Sequence, residues 1–187
     1  MRIRLPWSGG RQLTLGLRMV AAVTPKIVKT AGIQNTCEDG MRVPFFDYDH
    51  KDIAAIQQEV RLLQETYDLG TAYLFDSGRG IHVVCLTKVL LWECQEMLKG
   101  ASVDPAYRRR TRWVLRFAIR GRTGPPAFIG ELPRRSMTRM SSMAHARFFA
   151  TMYGIGIGDT AWDGSHKVTV VKYDTHDKAI ARSIHAT

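Results

Sequence analysis

Residues 71–86 read TAYLFDSGRGIHVVCL, two apolar runs separated by the short stretch Ser77-Gly78-Arg79. Short apolar runs joined by a glycine-containing turn are typical of a β-hairpin. We therefore predict strands over residues 71–76 and 80–86, with a tight turn between them.

A strand and a helix are predicted upstream of this hairpin. Residues 43–49, VPFFDYD, are rich in aromatic side chains and predict a strand. Over residues 52–68 apolar side chains recur at steps of three and four, which indicates one face of an amphipathic helix; they are Ile53, Ile56, Val60, Leu63 and Tyr67. Asp52 is a suitable N-cap for this helix and Gly70 a suitable stop.

Downstream of the hairpin, five further elements are predicted from periodicity: helices over residues 89–99 and 137–152, and strands over residues 112–120, 127–130 and 167–172. The first of these helices is expected to stop at Gly100. Residues 1–40 and 153–187 carry no functional interpretation. The sum is an α+β fold, a mostly antiparallel sheet with packed helices, in a single domain of 187 residues.

The charge of the chain indicates a polyanionic partner. Lys and Arg number 27 against 17 Asp and Glu, so the net charge is +10. Nucleic acid is the first expectation and an anionic membrane surface the second. No apolar run approaches the roughly 20 residues of a membrane-spanning helix. Arg11 and Arg18 interrupt the apolar part of the N-terminus, so no signal peptide is expected.

The cysteines predict a reducing compartment. The chain has an odd number of cysteines, Cys37, Cys85 and Cys94, and no two of them have C-x-x-C spacing. Neither a disulfide framework nor a zinc site is therefore expected. Cys85 lies in an apolar run and Cys94 in a predicted helix, and both are interpreted as buried thiols. A cytoplasmic location is expected, in the nucleoid or in a host cell.

Asp47 and Asp49 form a D-x-D pair on the predicted strand 43–49. Residues two apart on a strand point to the same face, roughly 6.5–7 Å apart. Two carboxylates held this close favour divalent cations such as Mg²⁺, which prefers oxygen ligands. The alternative is a strand end whose aspartates simply meet solvent.

The hairpin turn has the composition of a phosphate-binding loop. Its glycines, Gly78 and Gly80, allow close approach of a ligand and expose amide N–H groups as an anion nest. Ser77 and Arg79 add a hydroxyl and a cation suited to phosphate. His82 follows in an apolar strand, where it is interpreted either as a core residue or as a ligand contact.

An arginine-rich stretch lies between residues 107 and 122, without an acidic residue from Asp104 to Glu131. Within it, arginines alternate with Trp113, Leu115, Phe117 and Ile119. A strand anchored by large apolar side chains would hold its arginines in fixed positions. Fixed arginines suit the recognition of phosphate better than a solvated charge run does.

In their order along the chain, these features resemble the catalytic core of the archaeo-eukaryotic primase superfamily, which includes primase small subunits and primase-polymerases. Residues 46–49 are similar to its D-x-D motif, residues 77–83 to its S-x-H-type motif, and Val103-Asp104 to its third motif, a hydrophobic residue followed by aspartate. Leu115-Arg116-Phe117 and residues 121–124 are similar to the arginine strand and glycine-rich turn of primase small subunits. The resemblance covers residues 43–124.

The resemblance implies a minimal enzyme, of the sort that mobile elements and viruses encode, with an RRM-like catalytic core. It implies two-metal nucleotidyl transfer on a DNA template, with Asp47, Asp49 and Asp104 holding two Mg²⁺ or Mn²⁺ ions. Nucleotide contacts are expected from Ser77, Arg79, His82 and Arg116, and nucleic-acid contacts from Arg112, Arg120 and Arg122. The expected partners are DNA, nucleoside triphosphates and other replication proteins. Neither zinc nor a membrane is expected.

Two other classes of function stay open. The first is a non-catalytic replication-initiation or single-strand-binding module that keeps the primase fold. The second is a metal-dependent nuclease, since a D-x-D pair and a distant aspartate also serve phosphodiester hydrolysis. Retention of the three acids and His82 argues against the non-catalytic module. The turn sequence Ser-Gly-Arg-Gly favours an enzyme that uses a triphosphate over a nuclease.

Overall fold

The computed structural model describes residues 2–7, 11–16, 21–25, 27–108, 114–119, 126–155, 161–168 and 170–176, with side chains described within 32–108, 126–155 and 161–168. The strands are β1 (Arg2–Trp7), β2 (Arg11–Gly16), β3 (Ala21–Pro25), β4 (Ile27–Gln34), β5 (Phe45–Tyr48), β6 (Ala72–Asp76), β7 (Ile81–Cys85), β8 (Val114–Ile119), β9 (Ala127–Leu132) and β10 (Val170–His176). The helices are α1 (Ile53–Thr66), α2 (Leu91–Gly100), α3 (Pro105–Arg108) and α4 (Met143–Tyr153).

The central sheet has the strand order β5-β7-β6-β9. β5 and β6 are both antiparallel to β7, so they run parallel to each other with β7 between them. Because α1 connects β5 to β6, the three elements form a split β-α-β unit. The predicted hairpin is confirmed as β6 and β7, and the α+β class with an antiparallel sheet is confirmed.

The first helix begins where the sequence predicts. The Asp52 side chain accepts a hydrogen bond from the backbone N–H of Ala55, which caps α1. The helix buries Ile56, Val60 and Leu63 in the core. It ends before the predicted Gly70, because Asp68 adopts the left-handed conformation at φ 50°.

The last described helix begins later than predicted. Ser142 caps α4 by accepting from the N–H of His145, so the helix starts at Met143. The preceding segment bends at residues 137–138 and is held by the Asp68 carboxylate, which accepts hydrogen bonds from the N–H groups of Met137 and Thr138. Asp68 thus ties this non-helical segment to the residues that follow α1, and α4 begins only after it.

One face of the central sheet packs against α4 through aromatic rings. Phe149 of α4 meets Phe45 of β5 with ring centroids 6.3 Å apart and Phe75 of β6 at 5.6 Å. Tyr153 lies 4.7 Å from Phe75. Ring pairs at these spacings add to the burial energy of the core, by about 0.5–1.5 kcal/mol each.

α2 is confirmed over nearly the predicted range, with Gly100 as its last residue. The Glu93 carboxylate accepts from the Leu90 N–H at 2.8 Å and from both terminal nitrogens of Arg139 at 3.1 and 2.7 Å. The arginine hydrogen bonds lower the pKa of Glu93, with the Leu90 N–H adding to the effect. The start of α2 is thereby fixed to the segment that leads into α4.

Two further sheets have the strand orders β1-β2-β3 and β10-β4-β8. The described part of residues 1–40, a range without a functional interpretation from sequence, thus forms four strands. The predicted arginine strand is confirmed as β8, and the final predicted strand begins later, at Val170. Cys85 and Cys94 are confirmed as buried free thiols, and burial raises the pKa of Cys94 to about 12.

Candidate active site

Asp47 and His82 lie directly opposite each other on β5 and β7, and their side chains meet. The His82 Nε2 is 3.2 Å from the Asp47 Oδ1. Because a carboxylate accepts, Nε2 is the nitrogen that donates in this contact. The His82 residue is only 5% exposed, and its Nδ1 is buried without a hydrogen-bond partner in the described part of the chain.

Asp104 is brought to the same strand end by its backbone. Its N–H donates to the carbonyl oxygen of Asp47 at 2.9 Å, although 57 positions separate the two residues in the sequence. Its side chain caps α3, since the Asp104 Oδ1 accepts from the Ala106 N–H at 2.8 Å. Asp104 therefore combines a capping role with a backbone hydrogen bond to Asp47.

The hairpin turn packs tightly on the end of β5. A Cβ atom added at Gly80 would lie 1.9 Å from the carbonyl oxygen of Tyr48, so only glycine allows this approach. The side chain of Ser77 accepts from the Gly80 N–H at 3.2 Å, and that of Asp76 accepts from the Gly78 N–H. The expected anion nest is therefore wrong for these two amides, because side chains of the turn already bind them.

The outer part of this strand end is charged. Asp49 follows β5 and is exposed, and Arg79 is exposed at the tip of the turn. The Lys51 ammonium lies 2.8 Å from the Asp76 carboxylate and joins the segment after β5 to the hairpin. That hydrogen bond, followed by the Gly78 N–H, lowers the pKa of Asp76. Lys51 was not among the predicted site residues, and its only signal in the sequence is its position two residues after Asp49.

Of the arginines predicted at residues 112–122, only the backbone of Arg116 is described. The backbone of Arg116 lies in β8 opposite Gly32, in the sheet β10-β4-β8 rather than in the sheet that carries Asp47 and His82. Arg112, Arg120 and Arg122 lie outside the described residues. Their predicted contacts with nucleic acid stay predictions.

The carboxylates have the oxygen chemistry that Mg²⁺ and Mn²⁺ prefer. Their side chains are, however, not grouped around one metal position in the described part of the chain. Within the described ranges no group of three or more His, Cys, Asp or Glu side chains is placed to hold a metal ion. The Asp47 carboxylate contacts His82, and that of Asp104 caps α3, so both are already engaged by groups of the protein.

No helix in the described part of the chain combines the length and apolar character that crossing a membrane requires. No family model matches the chain, and neither a curated protein nor a solved structure is significantly similar to it.

Proposed function

We propose that this protein is a template-dependent nucleotidyltransferase, a DNA primase or primase-polymerase that joins nucleoside triphosphates on a DNA template. In this proposal the central sheet is the RRM-like catalytic core, and Asp47, Asp49 and Asp104 hold Mg²⁺ or Mn²⁺. The cations would neutralise charge on the triphosphate. DNA, nucleoside triphosphates and other replication proteins are the proposed partners, and the cytoplasm is the proposed location.

The observation that supports the proposal is the convergence of three short segments far apart in the sequence. Asp47 is paired with His82 across the sheet, and the Asp104 N–H is bonded to the Asp47 carbonyl. The turn of residues 77–80 packs on Tyr48, immediately between Asp47 and Asp49. A random set of polar residues would not be expected to meet at one strand end in this way.

The proposed division of labour follows from these contacts. In this proposal Asp47 orients the His82 ring, and the second ring nitrogen, which is buried in this structure, would donate to a phosphate. Ser77 is engaged in the turn through Gly80, so it shapes the loop, whereas exposed Arg79 supplies the charge that attracts a triphosphate. Arg116 in the nucleotide site, and Arg112, Arg120 and Arg122 on nucleic acid, are carried in the proposal from the sequence alone.

A non-catalytic module that binds single-stranded DNA is the second candidate. The observation that favours it is the arrangement of the acids, since no three of the described donor side chains are grouped around a cation position. Such a module would bind DNA through its positive net charge but would not catalyse nucleotide transfer.

One assay separates these functions. The full chain is incubated with a primer–template, labelled nucleoside triphosphates and Mn²⁺ or Mg²⁺, and strand lengths are measured. Extension that is abolished in Asp47→Asn and retained in Glu96→Gln supports the proposal, because Glu96 is an acid of α2 with a half-exposed side chain (51%). Binding with unchanged strands supports the module, and shortened strands would show a nuclease.

A further inference from the structure

The carboxylate of Glu59 connects two segments of the proposed site from the side of α1. Its Oε1 accepts from the Tyr48 hydroxyl at 2.8 Å and from the Ser102 N–H at 3.0 Å, and its Oε2 accepts from the Ser102 hydroxyl at 2.7 Å. Glu59 lies in the middle of α1, 11 positions from Tyr48 and 43 from Ser102. One side chain of the helix therefore holds the end of β5 and the segment after α2 together.

Both partners of Glu59 adjoin aspartates of the proposed site. Tyr48 follows Asp47 directly, and Ser102 lies two residues before Asp104. Successive residues of a strand point to opposite faces, so Tyr48 faces α1 whereas Asp47 faces away from it. The contacts of Glu59 thus support the backbone of the site from behind, without occupying the face that carries Asp47.

The segment from Ser102 to Asp104 is attached to β5 at both of its ends. Ser102 is joined to Tyr48 through Glu59, and the Asp104 N–H donates to the Asp47 carbonyl at 2.9 Å. A segment fixed at two points has fewer conformations than a segment fixed at one. The position of Asp104 relative to Asp47 therefore depends on the contact at Glu59 as well as on its own hydrogen bond.

The Tyr48 hydroxyl is a dependable donor in this contact. Tyr48 is fully buried, and burial, with the charge of Glu59 adding to the effect, raises the pKa of its hydroxyl. The hydroxyl therefore stays protonated and donates to the carboxylate. Hydrogen bonds to a charged group are stronger than those between neutral groups, which makes Glu59 a firm link between its two partners.

We propose that Glu59 is a positioning residue, which holds Asp104 against Asp47 so that both carboxylates can face the same cation. The inference rests on the proposed function, and it adds a residue that touches neither the nucleotide nor the metal. Its role depends on hydrogen bonding rather than on charge. Glutamine can replace it, since the amide oxygen accepts from Tyr48 and from the Ser102 N–H while the amide nitrogen donates to the Ser102 hydroxyl.

The test compares Glu59→Ala and Glu59→Gln with the control Glu65→Ala, which removes an exposed acid of the same helix. Deuterium exchange of backbone amides, followed by NMR on the metal-free full chain, measures how firmly the Asp104 N–H is held. Binding of Mn²⁺, followed by electron paramagnetic resonance, measures the site. Thermal unfolding gives a temperature at which the variants are folded. Tyr48→Phe removes one hydroxyl from the same contact and decides the matter if Glu59→Ala does not fold.

Glu59→Ala should speed exchange of the Asp104 amide by roughly tenfold or more, because the segment opens locally once its second attachment is lost. Binding of Mn²⁺ should weaken by roughly tenfold, the lower end of the losses that follow removal of outer-shell partners of metal ligands. Tyr48→Phe should change both quantities in the same direction by a smaller factor. Glu59→Gln and Glu65→Ala should leave both close to the wild-type values.

Two results would overturn the inference and leave Glu59 as a contact of stability alone. They are unchanged exchange at Asp104, and faster exchange with normal Mn²⁺ affinity. A loss in Glu59→Gln or in Glu65→Ala equal to that in Glu59→Ala would assign the effect to charge, and would overturn the inference as well.

The wild-type protein separates the failure of the inference from that of the proposed function. If it binds Mn²⁺ and extends primers while Glu59→Ala binds Mn²⁺ equally well, the inference alone fails. If Mn²⁺ binding depends on Glu59 but no primer is extended, the inference stands and the proposed function fails. A wild-type protein that binds no Mn²⁺ would overturn both.

Discussion

The two nitrogens of the His82 ring have different surroundings. Nε2 contacts Asp47 at 3.2 Å, whereas Nδ1 is buried without a partner among the described residues. If the ring binds phosphate, Nδ1 is the atom that does so, and Nε2 holds the ring in place. Amide side chains separate these roles, because Gln presents its amide near the Nε2 position and Asn near the Nδ1 position.

We expect His82→Gln to keep the contact with Asp47 and to lose nucleotide affinity by about 1.5–3 kcal/mol, the worth of a charge-assisted hydrogen bond. Its free energy of unfolding should change by about 1 kcal/mol or less. His82→Asn should instead lose stability, because Asp47 loses a partner. Urea unfolding and nucleotide titration check both variants. Normal nucleotide affinity in His82→Gln would show that His82 only positions Asp47.

The buried histidine of α4 predicts a pH dependence of stability. His145 donates from Nε2 to the Gln34 carbonyl at 2.9 Å, and its Nδ1 lies 2.8 Å from the Ser142 hydroxyl. Burial lowers the pKa of His145 in the folded protein. The unfolded chain therefore binds a proton first as the pH falls below about 6.5, and stability declines from there, by at most about 1.4 kcal/mol per pH unit.

Urea unfolding at pH 7.5, 6.5 and 5.5 measures this decline. We expect a shallower slope in His145→Gln and an unchanged slope in a matched variant, His166→Gln, since His166 is exposed. An identical slope in all three proteins would contradict the assignment to His145.

At the residue scale, sequence identified Asp47 and His82 as candidates but not their contact. The contact depends on the register between β5 and β7, and a shift of one residue would send either side chain to the other face.

At the scale of elements, the turn between β6 and β7 contains two glycines with different requirements. Gly80 needs space, because a Cβ there would overlap the Tyr48 carbonyl at 1.9 Å. Gly78 needs a conformation, since its φ of +87° is unfavourable for other residues, while no atom crowds it.

We expect Gly80→Ala to destabilise the protein by about 1–3 kcal/mol or more, because the backbone of β5 or β7 must shift. Gly78→Ala should cost about 1 kcal/mol, the backbone penalty alone. The midpoints of urea unfolding compare the two. A larger loss in Gly78→Ala would mean that conformation, rather than the approach to β5, fixes the turn.

Asp104 both caps α3 and adjoins Asp47, and one substitution separates the two roles. Asn is an equally good cap, so Asp104→Asn should unfold like the wild type, whereas Asp104→Ala should lose about 1 kcal/mol. If Asp104 is also a metal ligand, Asp104→Asn should reduce nucleotide transfer by orders of magnitude. Primer extension at the normal rate in Mg²⁺ would leave Asp104 as a cap alone.

The elements that sequence predicted well are those with strong local signals. α1 has a recurring apolar face and a capping aspartate, and the β6–β7 hairpin has a turn sequence. The start of α4 was placed too early because Met137 and Met140 extend the apolar pattern, while contacts with Asp68 hold a bend at residues 137–138. β4 was missed because its partners, β8 and β10, are distant in the sequence, and local pattern does not encode such pairings.

At the scale of the whole molecule, folding leaves the positive charge in excess. Several acids are neutralised by contacts between side chains, among them Asp163 with Lys88, Glu93 with Arg139, and Asp76 with Lys51. Each such pair joins one positive and one negative charge, so the net charge of +10 is unchanged. A surplus of this size attracts a polyanion over distances of about 10 Å at 0.1 M salt.

The arginine strand is the segment where this surplus should act on DNA. We expect Arg112→Ala and Arg116→Ala to weaken DNA binding equally across sequences, because phosphate contacts carry no base information. Each lost contact should flatten the dependence of log K on log salt by roughly 0.9 for duplex and 0.7 for single-stranded DNA. Fluorescence anisotropy at several salt concentrations, on two oligonucleotides of different sequence, measures both effects.

Lys99→Ala is the matched control, since it removes one charge from a side chain that is 67% exposed and paired with Glu96. If the arginine variants change the slope no more than Lys99→Ala does, the strand contributes only to net charge, and the DNA-binding surface must be sought elsewhere on the molecule.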